Sequence, residues 1–200
     1  MQSDIYIPKK EINLFNQEKI MLETELKAML TKSQFDTIKD IFTWDSIKNQ
    51  INSYYISPDN LLKKQGITLR IRTIDNTHIL QVKRHTSKNG ALQISEESEF
   101  EIDAIPIELT EDDVYKYTGI KTTASLIGDL TTTRYSCFYT PEVEICLDKS
   151  TYLGLTDYEI EIEYTKPIPQ ELLDTLSRID VLFDTPCKGK FSRFMGRLLG

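Results

Sequence analysis

Hydrophobic and polar residues alternate with a period of two in six stretches: Met21 to Ala28, Ile67 to Thr73, Ile79 to Lys83, Ser98 to Ile102, Val143 to Asp148 and Tyr158 to Tyr164. That period sends successive side chains to opposite faces of an extended backbone, so each stretch is predicted to be a β-strand. Ile51 to Ile56 and Gly128 to Phe138 are two further candidates. Asp75 and Asn76 separate two strand patterns and suit a short hairpin turn, because both residues tolerate turn backbone angles. Helical spacing is rarer. Thr31 to Asp36 opens a stretch in which Phe35, Ile38, Ile41 and Phe42 recur every three to four residues, one face of a helix laid on the sheet. Pro58 to Lys64, Thr110 to Tyr117 and Pro169 to Ile179 are shorter helical candidates. The predicted fold class is α+β, strand-rich and mainly antiparallel. No repeat, low-complexity tract or linker interrupts it, so residues 1–200 read as one domain.

Composition narrows the function classes. With 200 residues, 40% of them hydrophobic and 28% charged, the chain can bury one core without signs of disorder. No segment approaches the roughly 18 apolar residues of a membrane span, and the first ten residues lack the apolar core of a signal peptide. A cytoplasmic location without a membrane partner is expected. Cys137, Cys146 and Cys187 show no C-x-x-C spacing and are expected as reduced thiols. The net charge of −7 argues against a nucleic-acid partner, since phosphate-backbone affinity comes from surplus Lys and Arg. His78 and His85 have no neighbour at metal-ligand spacing and are expected at the surface or in loops, without a catalytic part.

The polar faces of the strands are sorted by charge. Glu23, Glu25 and Lys27 share one face; so do Arg70 and Arg72, Gln81 and Lys83, Glu99 and Glu101, and Glu159, Glu161 and Glu163. A sheet with one wet face is one explanation. Yet like charges two residues apart lie about 7 Å from each other and repel, so a solvated face usually mixes signs. A barrel with this face turned inward is the other explanation. Its carboxylates would then need metal or cationic partners, and a triphosphate with Mg²⁺ or Mn²⁺ would satisfy acid and base zones together. No P-loop, Rossmann fingerprint, H-E-x-x-H or G-x-S-x-G pattern competes with this ligand.

The run Glu23-Thr24-Glu25-Leu26-Lys27 resembles the E-x-E-x-K signature of the CYTH, or triphosphate tunnel metalloenzyme, family. The order of the later segments strengthens the resemblance: Ile67 to Arg72, Leu80 to Lys83, Glu99 to Glu101, Thr131 to Arg134, Leu147-Asp148 and Tyr158 to Glu163. It covers residues 21–194 and is most similar to small stand-alone members from Gram-positive bacteria, leaving residues 1–18 as an N-terminal extension. The resemblance implies an eight-stranded antiparallel β-barrel with helices packed outside and a charged tunnel inside. It implies a metal site drawn from Glu23, Glu25, Glu99, Glu101, Asp148, Glu159, Glu161 and Glu163. Phosphate would be bound by Lys27, Arg70, Arg72, Lys83 and Arg134, with Lys190 and Arg193 added by the basic segment Cys187 to Phe194 that closes many family tunnels.

The expected activity is divalent-metal-dependent hydrolysis of a triphosphate-bearing small molecule, with Glu23, Glu25, Lys27 and Glu161 as catalytic residues and Mg²⁺ or Mn²⁺ as cofactor. Two other reactions stay open, an adenylyl cyclase and a thiamine triphosphatase. So does a different class, a module that binds nucleotide or polyphosphate without turnover. Trp44, the one tryptophan, is expected in core packing rather than against a substrate ring. The oligomeric state is also open, a homodimer included.

Overall fold

The computed structural model describes residues 19–200; the predicted extension lies outside the described residues. Nine strands form one sheet: β1 (Lys19–Leu30), β2 (Ser46–Ile56), β3 (Ile67–Ile74), β4 (Thr77–Asn89), β5 (Leu92–Ile102), β6 (Glu108–Leu109), β7 (Ala124–Thr140), β8 (Val143–Tyr152) and β9 (Leu155–Tyr164). Their order is β2-β3-β4-β5-β1-β9-β8-β7, and pairing of β2 with β7 closes these eight into an antiparallel barrel. β6 adds two residue pairs at the end of β7 that β8 does not reach. Asp75 and Asn76 make the β3–β4 hairpin turn as predicted, both with positive φ (49° and 73°).

Several strands run further than their alternation predicts. β4 continues to Asn89 because Arg84 to Asn89 pair with Leu92 to Glu96, although that stretch is polar on both faces and carries no alternation to read. β7 spans 17 residues, and its register against β2 slips near Gly128.

The barrel inverts the usual arrangement. Most of its apolar residues point outward beneath helices, Ile47 and Ile51 of β2 lying exposed, while its polar residues point into the lumen. Ile145, Leu147, Ile160 and Ile162 lie beneath Phe35 and Ile38 of α1 (Lys32–Ile41) and Leu172 and Leu176 of α4 (Gln170–Ser177). Leu69, Ile71, Leu80 and Val82 lie beneath Leu62 of α2 (Leu61–Lys64) and Val114 of α3 (Glu111–Thr118). Each such fully buried Leu, Ile or Val contributes roughly 1.5–3 kcal/mol relative to exposure. Capping boxes fix two helix starts: Thr31 with Gln34 opens α1, and Thr110 with Asp113 opens α3. Trp44 packs edge-on against Phe42 and Tyr135 outside the barrel, in keeping with its expected core role. Among the described residues, no helix is long and apolar enough to cross a membrane.

At the C-terminal end, where no helix is predicted, α5 (Lys190–Leu199) closes one end of the lumen. Phe194, fully buried, packs on Tyr54 and Tyr152 with ring centroids 5.4 and 6.1 Å apart, and Phe191 lies 5.2 Å from Tyr54. Gly128 makes room for it, since a Cβ there would meet Phe194 Cζ at 3.1 Å.

Candidate metal and phosphate tunnel

The lumen is a cavity of about 420 Å³, a volume typical of small-molecule sites. Strand alternation fills it. β1 contributes Glu23, Glu25 and Lys27; β3 contributes Arg70 and Arg72; β4 contributes Lys83; β5 contributes Glu97 and Glu99; β7 contributes Arg134; β9 contributes Glu161 and Glu163. The cross-strand register places Glu25 opposite Glu163 and Lys27 opposite Glu161, so acids of β1 and β9 face one ligand space.

Two carboxylate trios result, each with ligand oxygens within 4.8 Å of one another: Glu23, Glu25 and Glu163, and Asp148, Glu159 and Glu161. The first is poorly compensated. Glu23 pairs with Lys83 and Glu25 with Lys27 at 3.0 Å, while Glu163 has Arg134 only at 3.6 Å. Burial and then the neighbouring Glu23 push the Glu163 carboxyl up to about 8. Burial also raises Glu25, against the pull of Lys27. Hard carboxylate oxygens that repel one another fit a divalent cation such as Mg²⁺ or Mn²⁺, which would remove that repulsion.

The second trio is saturated. Asp148 takes both nitrogens of the Arg134 fork, at 2.9 and 2.7 Å, and Lys190 at 2.8 Å. Glu161 meets Lys27 at 2.7 Å, Lys190 at 3.0 Å and Arg134. Glu159 meets Lys190 and, at 3.0 Å, Arg193, which also reaches Asp157 at 2.8 Å. These cations outweigh burial and hold Glu161 well below the usual carboxylate range; Arg134 and Lys190 do the same for Asp148.

Across the lumen, Arg70 and Arg72 have neutral partners among the described residues: Arg70 Nε donates to Gln81 at 2.8 Å and Arg72 Nε to Asn52 at 3.0 Å. Burial, then Arg70 and Arg134, lower the Arg72 guanidinium to about 10, a sign of a cation short of anions. Burial would also lower Arg70, but the field of Glu97 outweighs it.

Most of the predicted residues meet in or beneath this lumen. Asp148 and Glu159 sit under α5, and Arg193 belongs to α5 itself; all three lie outside the open cavity lining. Glu101 is a correction: it is exposed near the end of β5 and does not line the cavity, because the inward face of that strand leaves the lumen after Glu99. Glu99 lines it and accepts from Gln81 at 2.5 Å. Sequence reasoning missed Glu97, which pairs with Lys83 at 2.9 Å; burial raises it, but Lys83 and Arg70 prevail and bring it down to about 2. Its signal was the i−2 spacing from Glu99, hidden in the acid run Glu96 to Glu101. His78 and His85 are strand residues rather than loop residues; His78 bonds Thr73 at 2.8 Å, and His85 is exposed at the cavity rim. The three cysteines are buried and form no disulfide with one another, Cys146 lying in the wall between the trios.

A family model described as CYTH domain matches residues 21–179. The chain is 32% identical over 148 residues to YjbK of Bacillus subtilis, a protein provisionally named a triphosphatase, covering 71% of this chain and 77% of that one. A Bacillus halodurans structure, provisionally named an adenylate cyclase, is similar with a TM-score of 0.67 and 27% identity over 88% of this chain and 98% of that one. A Hippeastrum protein described as a candidate adenylyl cyclase with dominant triphosphatase activity shares the fold, with a TM-score of 0.72 and 21% identity over 87% and 95% of the two chains.

Proposed function

The chain belongs to the CYTH domain family, and from that premise we propose that it hydrolyses a triphosphate, inorganic or organic, inside the tunnel with Mg²⁺ or Mn²⁺. One observation carries the reading. Two half-buried arginines with only neutral partners among the described residues face a carboxylate trio short of cations, an arrangement that a polyphosphate with its metal would complete on both sides.

Glu23, Glu25 and Glu163 would hold the metal, which would supply positive charge to the phosphate oxygens and to the attacking water. Arg70 and Arg72 would clamp the chain of phosphates, and Lys83, Lys27 and Arg134 would offset the charge that builds on the transferring phosphoryl group. Glu161 orients two of those cations through its own ion pairs, which fits a part in catalysis through positioning.

The test is release of phosphate and pyrophosphate from tripolyphosphate, ATP and thiamine triphosphate, with metal and with chelator, while cyclic AMP is followed. Metal-dependent phosphate release is the expected result. Cyclic AMP with pyrophosphate would replace hydrolysis by cyclisation, and metal-dependent binding without any product would make the tunnel a sensor.

A further inference from the structure

We propose that Lys190 is a built-in cation that occupies the Asp148–Glu159–Glu161 trio and thereby directs divalent metal to Glu23, Glu25 and Glu163 alone. Both trios have the carboxylate spacing of a metal site. They differ in what already fills them.

In the Asp148 trio every carboxylate oxygen has a cationic partner. Arg134 takes Asp148 Oδ1 and Oδ2, and Glu161 Oε2; Lys27 takes Glu161 Oε1; Arg193 takes Glu159 Oε2. Lys190 Nζ joins one oxygen from each of the three acids: Asp148 Oδ2 at 2.8 Å, Glu161 Oε1 at 3.0 Å and Glu159 Oε1. Touching one oxygen of each acid, it stands where a metal would bridge them. In the Glu23 trio, by contrast, Glu23 Oε1, Glu25 Oε2 and Glu163 Oε2 have no donor or cation among the described residues.

The ammonium is tethered, which makes it hard to displace. Lys190 is the first residue of α5, whose Phe194 and Met195 are buried to within 1% of complete. An aqueous ion entering the trio would have to expel Nζ and leave an unpaired ammonium under the helix, and a buried uncompensated charge is strongly unfavourable. The N-terminal end of α5 adds its own positive potential at the same spot. Lys190 therefore acts as a positioning residue for the metal rather than as a phosphate contact.

This inference rests on the reading that the tunnel takes a divalent metal, and a count of Mn²⁺ by electron paramagnetic resonance separates the two. Wild-type protein is expected to bind one Mn²⁺ per chain and K190M two, the second vanishing again in K190M/D148N. Should K190M not fold, the same question is answered in D148N alone, which keeps Lys190 and is expected to bind Mn²⁺ within about twofold of wild type. Wild-type binding of two ions, an unchanged count in K190M, or a marked loss in D148N would overturn the inference. No Mn²⁺ on wild type but one on K190M would overturn the metal reading of the tunnel and leave Lys190 as assigned, whereas none on either protein would overturn both.

Discussion

Gly128 sits where the β2–β7 register slips, with φ at 138°, and a Cβ placed on it lies 3.1 Å from Phe194 Cζ and 3.8 Å from Cε2. Replacing it by Ala adds two separable costs. The first is backbone strain, because a side chain at that φ is disfavoured by on the order of 1–3 kcal/mol. The second is steric. A carbon pair at 3.1 Å is well inside the optimum of roughly 3.5–4.0 Å, and the ring has no room to retreat between Tyr54 and Tyr152. Overpacking of this kind costs about 1–3 kcal/mol, so G128A is expected to lose roughly 2–6 kcal/mol in all. F194A removes the ring at a cost of about 3–5 kcal/mol and removes the steric part with it. The double variant should therefore be more stable than the sum of the singles by roughly 1–3 kcal/mol, measured by urea unfolding. Additivity to within about 0.5 kcal/mol would refute the claim that Gly128 exists to seat α5. So would a G128A protein as stable as wild type.

Arg72 is short of anions, so R72Q is expected to melt no lower than wild type while losing most of its stabilisation by tripolyphosphate; thermal melts with and without ligand check both halves. Glu163 carries a folded-state carboxyl raised from 4.5 to about 8, so the folded chain binds the extra proton. In chelator, its contribution makes stability fall as pH rises from about 4.5 to about 8, and E163Q flattens that slope in pH-dependent unfolding. E23Q is expected to cut metal-dependent phosphate release by on the order of 10²–10³-fold without lowering the melting temperature by more than a few degrees. Turnover equal to wild type would remove Glu23 from the site.

The alternation along the chain marks most of the lumen-lining strands in the sequence alone, because a charged interior forces period-two sorting on every strand that lines it. It failed where both faces of a strand are polar, as in Arg84 to Asn89, and where acids stand next to one another, as at Glu96 and Glu97. The charge sorting leaves a closed barrel as one of two explanations, and only the family resemblance favours it, since the β2–β7 register joins segments that no local pattern connects. α5 is absent from the predicted elements although Phe191, Phe194, Met195 and Leu198 recur at helical spacing, because the stretch is identified only as the basic segment that closes the tunnel. The division of labour between the two trios was invisible for a different reason. Glu159, Glu161 and Glu163 look equivalent along β9, and only the arrival of Lys190 from α5 separates the first two from the third.

The seam between β2 and β7 also bears on how the chain reaches this state. It joins Ser46–Ile56 to residues 125–136 and, with the still longer-range ladder of β1 (residues 25–30) on β9 (residues 158–163), is one of the long-range pairings that complete the barrel. Pairings of such long sequence range are entropically late and slow. Until that seam zips, both strands present open edges bordered by outward apolar residues, the form in which sheets join other chains. Refolding yield should accordingly fall as protein concentration rises.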